Sequence, residues 1–544
     1  MSIARHTPAL YDIVAPQQEA PLTVSRPSQR TLLVFGAATV VWAGAWVWLT
    51  RYYLLDDAFI HLQYAHYLRT TGFLTFDGVH RSDGSSSLLW VALLSIFEGL
   101  GNSLLLLKLA SVAGYALVLA ATLLLARPTR GIATLLWLGL VAALASPMAV
   151  RWMCDGMETS LAVLAALGVG MLAHGITRQP ARSARRYVML MAIGAASVTL
   201  RIDLALLVAV SSIAACLDVV EQTPHQGFGW SRLRDFFSVL ARESHLAIGG
   251  LLGLAVTIAA TGHLLPDAAF AKEAHHLVLG QFGAIARAFG GSLALGLGLL
   301  GVGVVSLGVP LYHAEVRRRH LLSLLVANSP LPVIVALTVL RGQYIQGIRY
   351  FLWPLAFSIV WNLQVISSRA AAEQPNSRGW PLRWETRRAA TLVLVAVALA
   401  WTVDAPISYR VTRDTGQIIL DLGRDRLEFL RGKPGVADDI GWISYFSQGQ
   451  ICDLSGLVAG RALAESTLQD RIRYCAAQSP VFAFLTPSQA LDFESRFDLD
   501  SWRVCHGYVA RDATGHPVHY LFLRPDVEAA CSEPAPSVRS ILGK

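Results

Sequence analysis

The first long apolar run, TLLVFGAATVVWAGAWVWL, extends from Thr31 to Leu49 and contains no charged residue. A helix needs about 20 consecutive apolar residues to cross the hydrocarbon core of a bilayer, so this run predicts a first membrane span. Arg26 and Arg30 precede it. Because positive residues beside a span stay on the cytoplasmic side, they predict a cytoplasmic N-terminus.

The rest of the chain continues this pattern. Of its 544 residues, 54% are hydrophobic and only 15% are charged, against about 25% charged residues in a soluble protein. Apolar runs alternate with short loops, and clusters of arginine recur in alternate loops, which predicts about eleven transmembrane helices, the last near Ala389 to Ala405. The net charge of +8 arises from those loops, so we expect no nucleic-acid partner.

These signals divide the chain into three parts. Residues 1–30 are polar and rich in Pro and Gln, lack the features of a signal peptide, and predict a disordered cytoplasmic tail. Residues 31–405 form the predicted transmembrane domain, whose first loop, 50–100, lies outside the cytoplasm. Residues 406–544 are more polar and predict a small extracytoplasmic α/β domain. The expected fold is a polytopic α-helical membrane protein that carries this domain at its C-terminal end.

Two apolar segments do not have the length of a single span. The stretch Leu88 to Leu100 is too short to cross, and with Trp90 and Phe97 it predicts a half-helix at the outer interface. The stretch Tyr187 to Leu217 is either one long span or two short spans separated at Arg201–Asp203. We predict two, because a single span would invert every later loop and break the charge pattern.

The C-terminal part carries strand and cysteine signals. Val481 to Leu485 is strand-like, and Tyr508–Val509 and Val518 to Leu523 flank turn residues around Gly515, which predicts a hairpin. Four of the six cysteines lie here: Cys452, Cys475, Cys505 and Cys531. In an oxidising compartment we expect one or two disulfides, with three possible pairings if all four cysteines join.

The first outside loop opens with two adjacent acids, Asp56 and Asp57, soon after the first span. Next comes an apolar stripe that predicts an interfacial amphipathic helix: Ile60, Tyr64, Tyr67 and Leu68. Adjacent carboxylates repel each other, and partial burial raises at least one pKa. A carboxylate of this kind is suited to deprotonate an acceptor hydroxyl as it attacks an anomeric carbon. The alternative is a solvated helix N-terminus, where Asp favours the helix dipole.

The same residues resemble a known family. Bacterial C-type glycosyltransferases similar to the cell-wall terminal arabinofuranosyltransferases carry D-D-A-Y-I-S-x-R-Y-A followed by F-N-x-G-E-R-V-E-G-Y-T-S-x-L-W. The matching stretches here are DDAFIHLQYA, residues 56–65, and FDGVHRSDGSSSLLW, residues 76–90. Gln63 stands where the family has a basic residue, Ile202 replaces a proline, and Asp83 replaces a glutamate.

The likeness continues along most of the chain in the order expected for the family. Motifs similar to G-[LM]-E-T, R-P-[DE], L-P-N-x-x-x-A-K, D-I-G and D-L-x-G-L occur at Gly156–Thr159, Arg201–Asp203, Leu265–Asp267 with Lys272, Asp439–Gly441 and Asp453–Leu457.

The resemblance implies a GT-C type glycosyltransferase in the bacterial inner membrane, with its active site under the first, periplasmic loop. The donor would be a polyprenyl-phosphate sugar, with D-arabinofuranose as a candidate sugar, and the acceptor a glycan, a lipid or a protein. Carried over by position, the base is Asp56 or Asp57. The candidate substrate-binding residues are Arg81, Asp83, Glu158, Arg201, Lys272 and Arg349.

Three of these residues are isolated cations on loops predicted to lie outside: Arg201, Lys272 and Arg349. A leaving lipid phosphate needs such partners, although each side chain is also able to snorkel as an interfacial anchor. Glu158 has the alternative role of a helix cap. His275–His276 point to different helix faces and are taken as structural, so no metal ligands are predicted and metal dependence stays open.

These features favour a single displacement with inversion at the anomeric carbon and no cofactor beyond the lipid-linked donor. The alternative function is a polytopic transporter of a lipid-linked or small polar substrate. A transporter would be expected to show internal repeats and charged sites near mid-membrane. No clear repeat is visible, and the polar residues cluster at the outer edge.

Overall fold

The structure is a computed structural model, which describes the chain over residues 29–125, 132–178, 184–222, 230–267, 314–334, 344–372, 401–402, 404–406, 408–410, 412–413, 416, 428–494, 496–497, 499–511 and 517–527. The predicted N-terminal tail and most of the last predicted span lie outside these residues. Within them, helices make up the part before residue 428, and a mixed sheet with short helices follows.

The first four helices agree with the sequence pattern. They are α1 (Gln29–Leu49), α2 (Asp56–Thr71), α3 (Leu88–Phe97) and α4 (Ser103–Leu124). Helices α1 and α4 match the first two predicted spans, and α3 is the short helix expected between them. Asn102 caps the N-terminus of α4, since its side chain accepts a hydrogen bond from the backbone N–H of Leu105 at 3.1 Å.

The remaining helices of this part are α5 (Ile132–Leu144), α6 (Pro147–Met153), α7 (Thr159–Arg178), α8 (Ala184–Leu200), α9 (Leu204–Gln222), α10 (Trp230–Glu243), α11 (His245–Thr261), α12 (Ala314–Asn328) and α13 (Tyr344–Ala372). Helices α8 and α9 are separate, and the break between them falls at the predicted position, residues 201–203. A continuous helix through Arg201 is therefore excluded, while the assignment of α8 and α9 as two spans stays a prediction.

Several described helices are suited to a membrane. By length and composition, α4 and the Leu204–Glu221 part of α9 are able to cross a bilayer, and α5 with α6, bent by 61°, makes a third if the pair is one span. Large apolar side chains stay exposed on this part, including Val34, Val41 and Leu251, as expected for a surface that faces lipid. The count of about eleven spans stays a prediction.

Helix α2 differs from the sequence-based expectation. It is helical as predicted, but every residue from Ala58 to Ala65 is buried. The helix is therefore not an amphipathic segment lying on the membrane surface. It packs against α3 on one side and against α14 (Ile440–Ser447), from the C-terminal part of the chain, on the other. The sequence pattern of α2 did not predict that α14 covers it.

The C-terminal part contains a five-stranded sheet in the order β2-β1-β3-β5-β4. Its strands are β1 (Gly435–Ala437), β2 (Ile451–Asp453), β3 (Phe482–Leu485), β4 (Arg503–Arg511) and β5 (Pro517–Leu523). Strand β1 runs parallel to β2 and β3, while β5 is antiparallel to β3 and β4. The predicted strand near Val481 is β3, and the predicted hairpin is formed by β4 and β5. The side of the membrane on which this sheet lies stays a prediction.

The two faces of the sheet belong to different cores. Side chains alternate along a strand, so Ala483 and Leu485 of β3 face a small core beside helices α16 (Leu468–Ala477) and α17 (Pro487–Glu494). Phe482 and Phe484 face the larger core that continues into the transmembrane part. The sheet is thus packed onto the helices through α14, whose Trp442 meets Phe484 edge to face at 4.6 Å.

The C-terminal part contains disulfide-bonded cysteines, as the sequence predicts. Cys452 of β2 and Cys475 of α16 form a disulfide, and Cys505 is also disulfide-bonded. Cys531 lies outside the described residues. Cys154 and Cys216 are buried in the helical part.

Candidate functional site

Asp56 ties the first loop to the C-terminal part. Its Oδ2 accepts a hydrogen bond from the backbone N–H of Gly441 at 3.0 Å, and its Oδ1 accepts one from Trp442 at 2.8 Å. Asp439 stands at the N-cap of α14 but makes no capping bond, so Asp56 supplies the cap from another helix. A side chain at Gly441 would collide with the backbone of Asp56, which explains the glycine. The first-loop motif at residues 56–65 and the D-I-G motif at Asp439–Gly441 are therefore in contact.

The environment of Asp56 is charged and poorly hydrated. Burial, followed by the nearby Asp439 carboxylate, raises the pKa of Asp56 well above its usual value, while the N–H groups of Trp442 and Gly441 act in the opposite direction. Both oxygens of Asp56 are occupied by backbone donors. The carboxylate therefore has a structural task that the sequence did not reveal.

Asp57 contacts a cation from α13, unlike Asp56. Its Oδ2 accepts a hydrogen bond from Nη2 of Arg349 at 2.9 Å, near the beginning of α13. The side chain of Asp57 is 21% exposed, whereas that of Arg349 is only 4% exposed. Both acids lie in the first turn of α2, as the helix-dipole alternative requires. Their partners, however, come from other parts of the chain.

Glu158 forms the second acid–cation contact. Its Oε1 lies 3.7 Å from Nη1 of Arg201, and its Oε2 lies 3.8 Å from Nδ1 of His61. Both Glu158 Oε2 and His61 Nδ1 are buried without a hydrogen-bond partner within the described parts of the chain. Burial lowers the pKa of His61, an effect that Glu158 opposes. The carboxylate of Glu158 thus lies close to both His61 and Arg201.

Arg201 is held by the acid two residues further on. Its Nε and Nη2 donate to the two carboxylate oxygens of Asp203 at 2.9 and 3.0 Å, and Nε1 of Trp353 donates to the same carboxylate at 3.0 Å. The break between α8 and α9 therefore places a planar, bidentate ion pair against α13. This arrangement orients the remaining guanidinium face toward Glu158.

Tyr350 connects the two cations. Its ring centroid lies 4.7 Å from Cζ of Arg201 and 5.1 Å from Cζ of Arg349, and its hydroxyl accepts a hydrogen bond from Nη2 of Arg349 at 3.2 Å. The side chains around it are called the charged cluster below: Asp57, His61, Glu158, Arg201, Asp203, Arg349 and Tyr350. They come from α2 and from the ends of α7, α8, α9 and α13, so these helix ends meet at one place.

The loop before α7 shapes one wall of this cluster. Gly156 has a φ of +91°, which L side chains rarely adopt, and a Cβ there would press on Ala58 of α2. Asp155 is fully buried, and burial raises its pKa to about 7, with Arg349 acting in the opposite direction. The tight turn therefore brings Glu158 against α2 and adds a further acid beside the cluster.

Arg81 and Asp83 lie in a separate cleft of about 360 Å³. Asp83 pairs with Asp267, since the backbone N–H of Asp83 donates to Oδ2 of Asp267 at 3.0 Å and the N–H of Asp267 donates to the Asp83 carbonyl at 2.7 Å. Burial and the Asp267 carboxylate raise the pKa of Asp83 to about 7. The candidate residues thus divide between the charged cluster and this cleft.

Lys272 and His275–His276 lie outside the described residues, so their predicted roles stay predictions. Within the described ranges, no group of three or more His, Cys, Asp or Glu side chains is placed to hold a metal ion. The sequence did not predict five residues as members of a site: His61, Asp203, Tyr350, Asp267 and Arg461. His61, Asp203 and Asp267 stand inside motifs quoted above, which was the available signal, whereas nothing local to Arg461, which lines the cleft from helix α15 (Arg461–Ala464), points to a site.

No protein-family model and no curated protein matches the chain. Among solved structures, the crystal structure of ArnT from Cupriavidus metallidurans bound to undecaprenyl phosphate is similar, with 15% sequence identity and a TM-score of 0.49. The match covers 94% of this chain and 100% of that chain. A likeness at this level assigns neither a family nor an activity to the protein.

Proposed function

We propose that the protein is a membrane glycosyltransferase that moves a sugar from a polyprenyl-phosphate donor to an extracytoplasmic acceptor with inversion. The observation that carries this proposal is the charged cluster, in which the acid Asp57 lies beside the buried cations Arg349 and Arg201. Buried charges are costly unless they are paired, and clusters of buried charges mark candidate sites of chemistry. The motif resemblance in the first loop supports the same assignment.

Asp57 is the proposed base. Asp56 uses both carboxylate oxygens to hold the N-terminus of α14, so releasing it for proton transfer would break that contact. The Asp57 side chain is partly exposed, and its Oδ2 contacts the guanidinium of Arg349. A base must reach the proton that it removes, and partial exposure beside a cluster of donors supports that access.

Arg349 and Arg201 are the proposed partners of the leaving phosphate. A guanidinium stays charged at any relevant pH and presents five N–H donors in a rigid fork, which suits phosphate oxygens. Their fixed positions in a buried site stabilise charge that develops on the phosphate as the sugar departs. Glu158 and Asp203 hold Arg201 in place, and Asp57 does so for Arg349. Lys272 is retained as a further candidate cation.

The proposed reaction is one displacement. The Asp57 carboxylate takes the proton of an acceptor hydroxyl, and that oxygen forms a bond to the anomeric carbon from the face opposite the lipid phosphate. The bond from this carbon to the phosphate oxygen breaks, and its electron pair leaves with polyprenyl phosphate. Because phosphate leaves readily, no general acid is needed. D-Arabinofuranose is the candidate sugar, and the acceptor is a glycan, a lipid or a protein.

The test measures release of polyprenyl phosphate from synthetic polyprenyl-phosphate sugars by the purified protein in nanodiscs, with and without EDTA. We expect Asp57→Asn to lower the rate by about 10²- to 10⁴-fold, the usual contribution of a general base. Asp56→Asn is the matched control, because it changes the adjacent carboxylate and should affect stability more than rate. A wild-type protein that releases no lipid phosphate from any such donor would reject the proposal and favour the transporter alternative.

A further inference from the structure

Lys108 is a buried cation that the proposed reaction does not use. It is the sixth residue of α4, about 8 Å along the helix axis from Ser103. Helix α4 is able to cross a bilayer, and Lys108 is only 9% exposed. An ionisable side chain inside such a helix is costly, so its presence indicates a specific task.

The ammonium group of Lys108 donates three hydrogen bonds, all of them to backbone carbonyls. Nζ donates to the carbonyl oxygens of Thr50 and Tyr53, both at 2.9 Å, and to the carbonyl oxygen of Cys154. A lysine ammonium has three N–H donors. All three are therefore used within the chain, so Lys108 is not suited to bind a substrate phosphate.

The three carbonyls stand at the ends of two helices. Thr50 and Tyr53 follow the last residue of α1, and Cys154 is the C-cap residue of α6. The last carbonyls of a helix lack partners within it and carry a partial negative charge. One cation thus satisfies both helix ends and holds them together. This set of contacts, formed by Lys108, Thr50, Tyr53 and Cys154, is called the Lys108 junction below.

Two short segments lead from the junction to the charged cluster. Asp57 lies four residues beyond one end of the junction, and Glu158 lies four residues beyond the other. The backbone N–H of Leu55 donates to the carbonyl of Asp155 at 3.0 Å, so the two segments also pair with each other. Segments this short transmit a shift at the junction directly to the side chains that follow them.

The proposed displacement depends on where these side chains stand. Asp57 must meet the acceptor hydroxyl on one face of the anomeric carbon, while Arg201, which lies 3.7 Å from Glu158, meets the leaving phosphate on the opposite face. A misplacement of about 1 Å, even one caused far from the chemistry, costs about 10²-fold in rate. Resting on the proposed function, we propose that Lys108 is a positioning residue, which fixes the separation of Asp57 and Glu158 without touching a substrate.

The test compares Lys108→Met and Lys108→Arg with wild type in nanodiscs. Met has a similar length but removes the charge and the donors, whereas Arg keeps the charge and presents its donors in a planar fork. We expect Lys108→Met to lower kcat for release of lipid phosphate by about 10²-fold, with little change in KM. Lys108→Arg should give a kcat between those of Lys108→Met and wild type. Binding of polyprenyl phosphate, measured by calorimetry, should stay at the wild-type level in both variants.

The matched control is Thr122→Val. Thr122 is also buried in α4, and its hydroxyl donates to the carbonyl of Val118 in the same helix at 2.7 Å. This variant removes a buried donor from α4 without touching the junction, so its kcat should equal that of wild type.

Hydrogen exchange followed by mass spectrometry examines the junction without turnover. Lys108→Met should accelerate exchange in peptides that cover residues 50–55 and 154–158, because both segments lose a common partner. The peptide that covers Phe482–Leu485 should exchange as in wild type.

Three results would overturn the positioning role. They are a wild-type kcat in Lys108→Met, a loss of kcat with unchanged exchange in both segments, and faster exchange throughout the protein together with weaker binding of polyprenyl phosphate. If Lys108→Met does not fold, Lys108→Arg decides, and wild-type kcat and exchange in that variant would overturn the role. If wild type releases no lipid phosphate while Lys108→Met accelerates exchange in the two segments alone, the proposed function fails and the Lys108 junction stands.

Discussion

Replacement of Asp56 by Ala tests the contact that holds α14, from the C-terminal part, on helix α2. The substitution removes the carboxylate that receives hydrogen bonds from the N–H groups of Gly441 and Trp442. It leaves the first turn of α2 helical, because Ala is a good helix former. The buried N-terminal end of α14 then lacks its cap.

The expected loss of local stability in Asp56→Ala follows from contributions of opposite sign. Two hydrogen bonds to a charged acceptor contribute about 1.5 to 3 kcal/mol each. Burial and the repulsion from Asp439, which raise the pKa of Asp56, offset part of this gain. Caps measured in other proteins contribute about 0.5 to 2 kcal/mol in total. We therefore expect a loss of about 2 kcal/mol, which corresponds to about 30-fold faster local opening.

Hydrogen exchange followed by mass spectrometry measures this opening in a peptide that covers Ile440–Ser447. Asp56→Ala should accelerate exchange there and leave the peptide that covers Phe482–Leu485 unchanged. Asp56→Asn keeps one acceptor oxygen and should give an intermediate rate. Equal exchange of the 440–447 peptide in wild type and Asp56→Ala would refute the capping role and reopen Asp56 as a base.

Three further outcomes are expected. Burial and Asp267 raise the pKa of Asp83 to about 7, so the folded protein holds this proton more tightly than the unfolded chain does, and this carboxyl lowers stability as pH rises from about 4 to 7. The melting temperature should therefore fall less across that pH window for Asp83→Asn than for wild type. Parallel curves of melting temperature against pH would contradict the assignment. Replacement of both Cys452 and Cys475 by Ala opens a loop with a sequence separation of 23. In urea titrations the free energy of unfolding of the C-terminal part should fall by about 3 kcal/mol. An unchanged urea midpoint would contradict a stabilising role for this disulfide. The side-chain amides of Asn328 and Asn362 donate hydrogen bonds to each other at 3.3 and 3.1 Å. Changing either residue to Leu should lower the free energy of unfolding by about 1 to 2 kcal/mol. In a double-mutant cycle, the double change should lower it by less than the sum of the single changes.

The sequence by itself determined the local elements. Apolar runs of spanning length predict α1 and α4, because an extended apolar stretch has few alternatives to a buried or lipid-covered helix. The charge pattern placed the break between α8 and α9 at Arg201–Asp203. Strand β3 and the β4–β5 hairpin follow from alternation and turn residues. Within the charged cluster, Asp57, Glu158, Arg201 and Arg349 were predicted as site residues from the sequence, whereas His61, Asp203 and Tyr350 were not.

Only the tertiary structure decided how these groups are paired. Asp56 and Asp57 are chemically identical neighbours, and what separates their roles is contact with Gly441, 385 residues away, and with Arg349, 292 residues away. The local sequence does not predict contacts between residues so far apart along the chain, because these contacts depend on how the helices and the sheet pack in three dimensions. The same reason explains why α2, which has an amphipathic pattern, is buried on both sides, and why Arg461 reaches a cleft built by the first loop.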